Sequence, residues 1–213
     1  MNRIITWIRT HRYCLVGLYL LVFLLGFFWL ELDPVPPKYI IHCVIDDWIP
    51  FDARFVLPYF LWYVWVPVFL VWFMLHERDS YLRLCFIMFA GATFCLIIYV
   101  LLPNGLDLRR GISGDGFCEQ IVRFLRWVDV PQNVCPSIHV SSTVSIHMTI
   151  CRSQRFRGSR RMRCFSLGIT LLICVSTLFI KQHSVIDVVC GWALSEVLAR
   201  ICDRLIPVQE AGV

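Results

Sequence analysis

Residues 84–102 read LCFIMFAGATFCLIIYVLL, a run without a single charge. A helix that crosses the ~30 Å hydrocarbon core of a bilayer needs about 20 mainly apolar residues, and every backbone polar group inside that core must be satisfied within the segment. This stretch has the length and the composition to do so. Working outward from it, residues 13–30 and 55–75 repeat the pattern, and residues 164–180 repeat it over a slightly shorter length. Two further segments are weaker. Residues 138–151 carry Ser141, Ser142, Thr143, Ser145 and His147, and residues 184–206 carry Asp187, Glu196 and Arg200. Helices of this mixed kind belong inside a bundle, where small and polar residues face other helices and not lipid. The expectation is an all-α, polytopic membrane protein: one domain over residues 1–213, a bundle of six transmembrane helices, with interfacial helices in the outer loops.

Composition supports the same class. Of the 213 residues 58% are hydrophobic, 15% aromatic and only 16% charged, whereas ordinary soluble domains carry about 25% charged residues. A water-soluble globule of this size cannot hide so much apolar surface. Disorder is excluded on the same ground, and no internal period of solenoid type is present.

The first span follows Arg3, Arg9 and Arg12, is too long for a signal-peptide core and lacks a small-x-small cleavage site, so it reads as an uncleaved anchor. With the N-terminus inside, 13 of the 20 basic residues fall on the cytoplasmic side and 7 on the other. Six arginines between Arg152 and Arg163 in one short loop decide the orientation. Both termini are expected in the cytoplasm. The net charge of +5 does not point to nucleic acid, because the basic cluster has no interleaved aromatics and lies where anionic lipid would meet it. Nor do the eleven cysteines make a metal pattern: no C-x-x-C occurs and most lie in or beside spans. Cys43, Cys118 and Cys135 fall outside, which leaves a bridge such as Cys118–Cys135 open.

Two outer segments are long. Residues 33–54 mix Tyr39, Ile40, Ile41, Val44, Trp48, Ile49 and Phe51 with Asp46, Asp47 and Asp52, as a segment lying on a membrane surface would. Within residues 103–136, Phe117, Ile121, Phe124, Leu125 and Val128 recur at helical spacing opposite Glu119, Gln120, Arg123 and Arg126.

The chemistry-bearing residues gather at the outer ends of the spans. Pro136 and Ser137 enter the fourth helix with His139 one turn in; Pro136 suits a first-turn position and Ser137 can cap it. The helix start is itself an anion site. The sixth helix is expected to start at His183, so that Asp187, four residues on, shares its face and orients the imidazole. A carboxylate at that depth costs roughly 2.5–3.5 kcal/mol and needs such a partner. Arg109 and Arg110 supply planar donors in the same layer. Two histidines, one carboxylate, a serine, arginines and Lys181 match phosphoryl transfer through a phosphohistidine. His139, His183 and Asp187 are the candidate catalytic residues; Ser137, Arg109, Arg110 and Lys181 the candidate phosphate ligands. No Mg²⁺ cage is evident, so no metal or cofactor is implied and side chains must supply the positive charge. His147, alone in its span, reads as a helix–helix contact.

These residues also resemble the signature of the phosphatidic acid phosphatase type 2 superfamily of membrane lipid phosphatases, which has three blocks: K-x6-R-P, P-S-G-H and S-R-x5-H-x3-D. Pro136-Ser137-Ile138-His139 resembles the second, with Ile138 where the family has glycine. Ser176-Thr177, followed after five residues by His183 and after three more by Asp187, resembles the third, with Thr177 in place of arginine. Arg109-Arg110-Gly111 is similar to the end of the first. The resemblance implies that His183 attacks phosphorus, Asp187 holds it, His139 protonates the leaving alkoxide, and Ser137 and the arginines bind phosphate. Lys181, four residues after Thr177 on a continuing helix, would reach the same anion. The substrate implied is a lipid phosphate or diphosphate in the membrane, hydrolysed at the extracytoplasmic face. A transferase of the inositol phosphorylceramide synthase-like branch, and a lipid-binding protein without catalysis, are the alternatives.

Overall fold

The computed structural model describes residues 2–32 and 35–205. Ile206, the last residue of the sixth expected span, and residues 33 and 34 of the first outer segment lie outside the described residues. The chain is mostly helical: α1 (Asn2–Thr10), a 3₁₀ stretch (Arg12–Leu18) running into α2 (Tyr19–Leu32), α3 (Val44–Trp48), α4 (Val56–His76), α5 (Arg78–Leu101), α6 (Phe117–Val128), α7 (Ile138–Arg152), α8 (Arg160–Phe179) and α9 (Val185–Leu205). Four helical segments are long and apolar enough to cross a membrane: Arg12–Leu32, Ala53–His76, Arg78–Leu101 and Arg160–Phe179. They fit a multi-pass membrane protein.

The weakly apolar helix α7 is the centre of the bundle, packed against α4, α5, α8 and α9. Its small hydroxyl residues make that position workable. Ser145 and Thr149 return their hydroxyls to carbonyls one turn back, at 2.7 and 2.8 Å. Ser195 of α9 donates to the Ser141 carbonyl at 2.7 Å and sits 3.0 Å from the Ser141 hydroxyl. Polar atoms are thus satisfied between helices, and the short side chains let backbones approach. The other weak helix, α9, is not interior all round. Asp187, Gly191, Ser195, Ala199 and Cys202 form one buried stripe, while Val189, Val197 and Leu205 face outward. His147 takes the helix–helix role, with its Nδ1 2.8 Å from the Ser166 hydroxyl of α8.

The two ends of the bundle differ. At the end where α5 begins and α7 and α9 finish, Arg83 and Arg152 both pair with Asp203. Glu77 accepts from Ser153 (2.5 Å) and from the Gln154 amide (2.9 Å). At the opposite end the connections carry structure of their own. Two-residue strands β1 (Tyr39–Ile40) and β2 (Asn104–Gly105) pair in parallel, Tyr39 with Asn104 and Ile40 with Gly105, a ladder the sequence reading did not foresee. Buried Asn104 then clamps the approach to α7: its Oδ1 accepts from the amides of Val134 (3.0 Å) and Cys135 (2.9 Å). Helix α6 buries Val122 and Leu125 against Val56, Tyr59 and Ile180 and leaves Phe117, Phe124 and Trp127 exposed. Cys118 and Cys135 are free thiols, so the bridge left open by the sequence is not formed.

Gly191 sets the α7–α9 approach at this end. A Cβ there would lie 2.7 Å from the Ser137 carbonyl oxygen and 3.2 Å from Cβ of Val140. Gly191→Ala must push the helix starts apart, an overpacking cost of about 1–3 kcal/mol. It should lower the thermal unfolding temperature in detergent. Gly168→Ala, where nothing lies within 4 Å of the added Cβ, should leave it unchanged or raise it slightly.

Candidate active site

Helix α9 begins at Val185, two residues later than expected, so the His183–Asp187 pairing does not arise from a shared helical face. It arises from a capping arrangement. Ser184 and Asp187 form an S-x-x-D start in which the Ser184 amide donates to Asp187 Oδ2 at 2.8 Å and the Ser184 hydroxyl accepts from Ile186 N at 3.1 Å. His183 then lies against the same carboxylate, Nδ1 to Oδ2 at 3.3 Å. Asp187 is fully buried, and its Oδ1 has no hydrogen-bond partner among the described residues.

The start of α7 comes to meet this turn. Ser137 is the N-cap, its hydroxyl accepting from Val140 N at 3.4 Å, and its own amide donates to the Asp187 carbonyl at 3.2 Å. Pro136 therefore precedes the cap and is not a first-turn residue. One residue into α7, His139 Nδ1 faces His183 Nε2 at 3.4 Å. Its other nitrogen, Nε2, lies 2.8 Å from the Tyr59 hydroxyl of α4. The Trp62 ring packs on it at 4.4 Å between centroids. Four groups thus form one chain: Tyr59, His139, His183, Asp187.

The expected phosphate ligands separate into two sets. Arg109 bonds two residues that line the histidine cavity: it donates to the Asp129 carbonyl and to Gln182 Oε1, and its guanidinium is 3.9 Å from Asp129 Oδ1. Its Nε and the Nε2 of Gln182 are buried donors without partners among the described residues. Burial depresses the Arg109 pKa, opposed by Asp129; burial raises that of Asp129, opposed by Arg109 and then His183. Ser137 is fully buried and does not line the histidine cavity. Arg110 and Lys181 are elsewhere. Helix α8 stops at Phe179 and Lys181 takes a left-handed conformation (φ 59°), so it does not share a helix face with Thr177. Its ammonium donates to the carbonyls of Asp46 (2.7 Å) and Ile49 (2.6 Å), in a separate cavity that Arg110 also lines.

The histidines close one end of a cavity of about 330 Å³. Phe23, Phe27 and Phe28 of α2 and Trp62 and Tyr63 of α4 wall it; Gln182, His183, His139, Asp129 and Glu31 are among its polar groups, with Gln132 and Asn133. Tyr59, Trp62, Asp129 and Gln182 were not singled out in the sequence. Tyr59 and Trp62 lie in the aromatic run YFLWYVW, residues 59–65 without Phe60 being distinguishable from them by pattern. Comparison with known protein-family models and with curated proteins gave no match.

Asp46, read from the sequence only as part of a surface segment, is buried and ties α3 to the start of α9. Its carboxylate accepts from the Ser184 hydroxyl (2.6 Å), Val185 N (2.8 Å) and Cys43 N (2.8 Å). Burial opposes its ionisation, but those hydrogen bonds outweigh it and hold its pKa below the usual 3.8. A depressed carboxylate pKa contributes stability that is present above the unfolded value and lost as pH falls through the folded one. Asp46→Asn should unfold at a lower temperature than wild type at about pH 6, and the gap should narrow as pH falls below the usual carboxylate value. Thermal denaturation in detergent across that range reads both.

Proposed function

We propose that this chain is a membrane lipid phosphatase of the phosphatidic acid phosphatase type 2 kind, acting through a phosphohistidine. The observation that carries the reading is the 3.4 Å approach of His139 Nδ1 to His183 Nε2, with Asp187 on the far nitrogen of His183. One proton arrangement fits all four groups of the chain. The Tyr59 hydroxyl donates to His139 Nε2, so the His139 proton is on Nδ1. His183 Nδ1–H donates to Asp187, so the lone pair of His183 is on Nε2.

In that arrangement His183 Nε2 attacks phosphorus and the bond from phosphorus to the leaving oxygen breaks. His139 takes up a second proton on Nε2 before this step, with the Tyr59 oxygen then accepting from it, so that Nδ1–H gives the leaving oxygen its proton and the ring is left as a neutral imidazole. Asp187 stabilises the charge that develops on the His183 ring. Water, deprotonated by His139, then attacks the phosphohistidine, releasing inorganic phosphate and restoring His183. The unpartnered Arg109 Nε and Gln182 Nε2 supply donors for the equatorial oxygens. The aromatic walls from α2 and α4 suit acyl or prenyl chains, so the substrate proposed is a lipid phosphate or diphosphate.

The membrane arrangement proposed is six spans, with α7 and α9 joining the four strongly apolar helices. Both termini are cytoplasmic and the histidines lie at the extracytoplasmic face. The arginine-rich connection between α7 and α8 supports that sidedness, as does the exposed aromatic face of α6 beside the site.

Purified protein in detergent with EDTA should release phosphate from phosphatidic acid or a polyprenyl diphosphate. His183→Ala should reduce this to background; full activity in that variant would overturn the mechanism. Mass spectrometry of products with and without an alcohol acceptor separates hydrolysis from transfer. Tyr59→Phe removes the hydrogen bond that sets the His139 tautomer. It should lower kcat about fivefold to tenfold, the equivalent of one hydrogen bond near 1 kcal/mol, with KM little changed.

A further inference from the structure

The turn that presents His183 has a second side. Gln182 and His183 face the histidine cavity, while Lys181, in its left-handed conformation, faces another cavity of about 330 Å³. Arg109 and Arg110 divide the same way, Arg109 toward Gln182 and Arg110 into this second space. Arg126 of α6 completes a set of three cations there.

Lys181 and Arg126 are held in place by groups that do not neutralise them. Lys181 is buried, and its ammonium is bonded to two backbone carbonyls, of Asp46 and Ile49. Arg126 donates to the carbonyls of Arg110 (2.8 Å) and Ile180 (3.3 Å), lies over the Phe51 ring at 5.1 Å, and keeps a buried Nε without a partner. Arg110 is exposed, and its side chain makes no hydrogen bond or ion pair among the described residues. Two acids border the space, yet neither pairs with these cations. The Asp46 carboxylate is turned to Ser184, Val185 and Cys43, and Asp47 pairs with His42 at 3.1 Å. Consistent with uncompensated charge, burial and then Arg109 lower the Arg126 pKa to about 10. Burial likewise lowers that of Lys181, with Arg110 adding to it against Asp46 and Asp47.

We propose that the cavity lined by Arg110, Arg126 and Lys181 binds a phosphate or diphosphate group, as a site separate from the histidine pair. Planar guanidinium donors and an anchored ammonium around one space are suited to phosphate oxygens. The group can belong to an anionic lipid headgroup or to a soluble anion, since the chemistry recognised is the same.

The test is binding, and it does not require turnover. In detergent-purified His183→Ala protein, calorimetric titration with inorganic pyrophosphate reads the soluble arm. Native mass spectrometry of retained dioleoyl phosphatidic acid, against dioleoyl phosphatidylcholine, reads the lipid arm. Saturable binding in either arm that Arg110→Gln weakens about tenfold supports the site and names its source. Arg110 is exposed, so this variant does not threaten the fold; Arg126→Gln should act in the same direction. Binding that Arg110→Gln leaves unchanged, or no binding in either arm, overturns the proposal.

Discussion

A buried carboxylate with several obligations organises the end of this molecule where the two histidines meet. Asp187 caps its own helix by accepting the Ser184 amide, lies against His183 through the same oxygen, and offers its backbone carbonyl to the Ser137 amide at the start of α7. A carboxylate inside an apolar bundle is costly unless its oxygens are occupied. Oδ2 is occupied within its own turn, and it is the backbone carbonyl of Asp187, accepting from the Ser137 amide, that joins the two helix starts. Gly191, one turn further along α9, permits the contact by carrying no Cβ against the Ser137 carbonyl. The histidine pair follows from that meeting, because His139 is one residue into α7 and His183 two residues before α9.

The same end is braced from outside the bundle. Asp46 holds Ser184 and Val185 from the α3 segment, and Asn104 holds the 134–135 amides from the end of α5. Both are short polar side chains that join loops through backbone atoms, so the loops are tied to the helices they connect. Lys181 closes the arrangement by bonding the carbonyls of Asp46 and Ile49. The turn from Ile180 to Ser184 is thus pinned on both sides. Its consecutive residues can then serve two cavities of different character, one walled by aromatic rings and one by cations.

Pattern reading worked where a single periodicity or composition controls the outcome. The long apolar helices, the amphipathic α6, the cap at Ser137 and the interior place of α7 were all legible, since each depends on local sequence and on hydrophobic or helix-capping energetics. The reading failed where a contact depends on how a chain turns. Spacing alone puts Lys181 on a helix running past Thr177, but α8 ends at Phe179 and the side chain leaves in another direction. His183 was placed on α9 and instead precedes it. Nothing in the sequence distinguishes Tyr59 from its aromatic neighbours, because its hydrogen bond to His139 spans eighty positions.

By itself the amino-acid order determined that the chain is helical, apolar enough for a membrane, and equipped with two histidines and a carboxylate near helix starts. These properties depend on residues within a few positions of one another, where spacing translates directly into geometry. Only the tertiary structure decided that His139 and His183 meet, that Arg109 bonds Gln182 while Arg110 lines a separate cavity, and that Asp46 is a buried tie and not a surface acid. Such outcomes are set by the angle at which one helix start meets another and by the direction of a few loop residues, which no local spacing encodes.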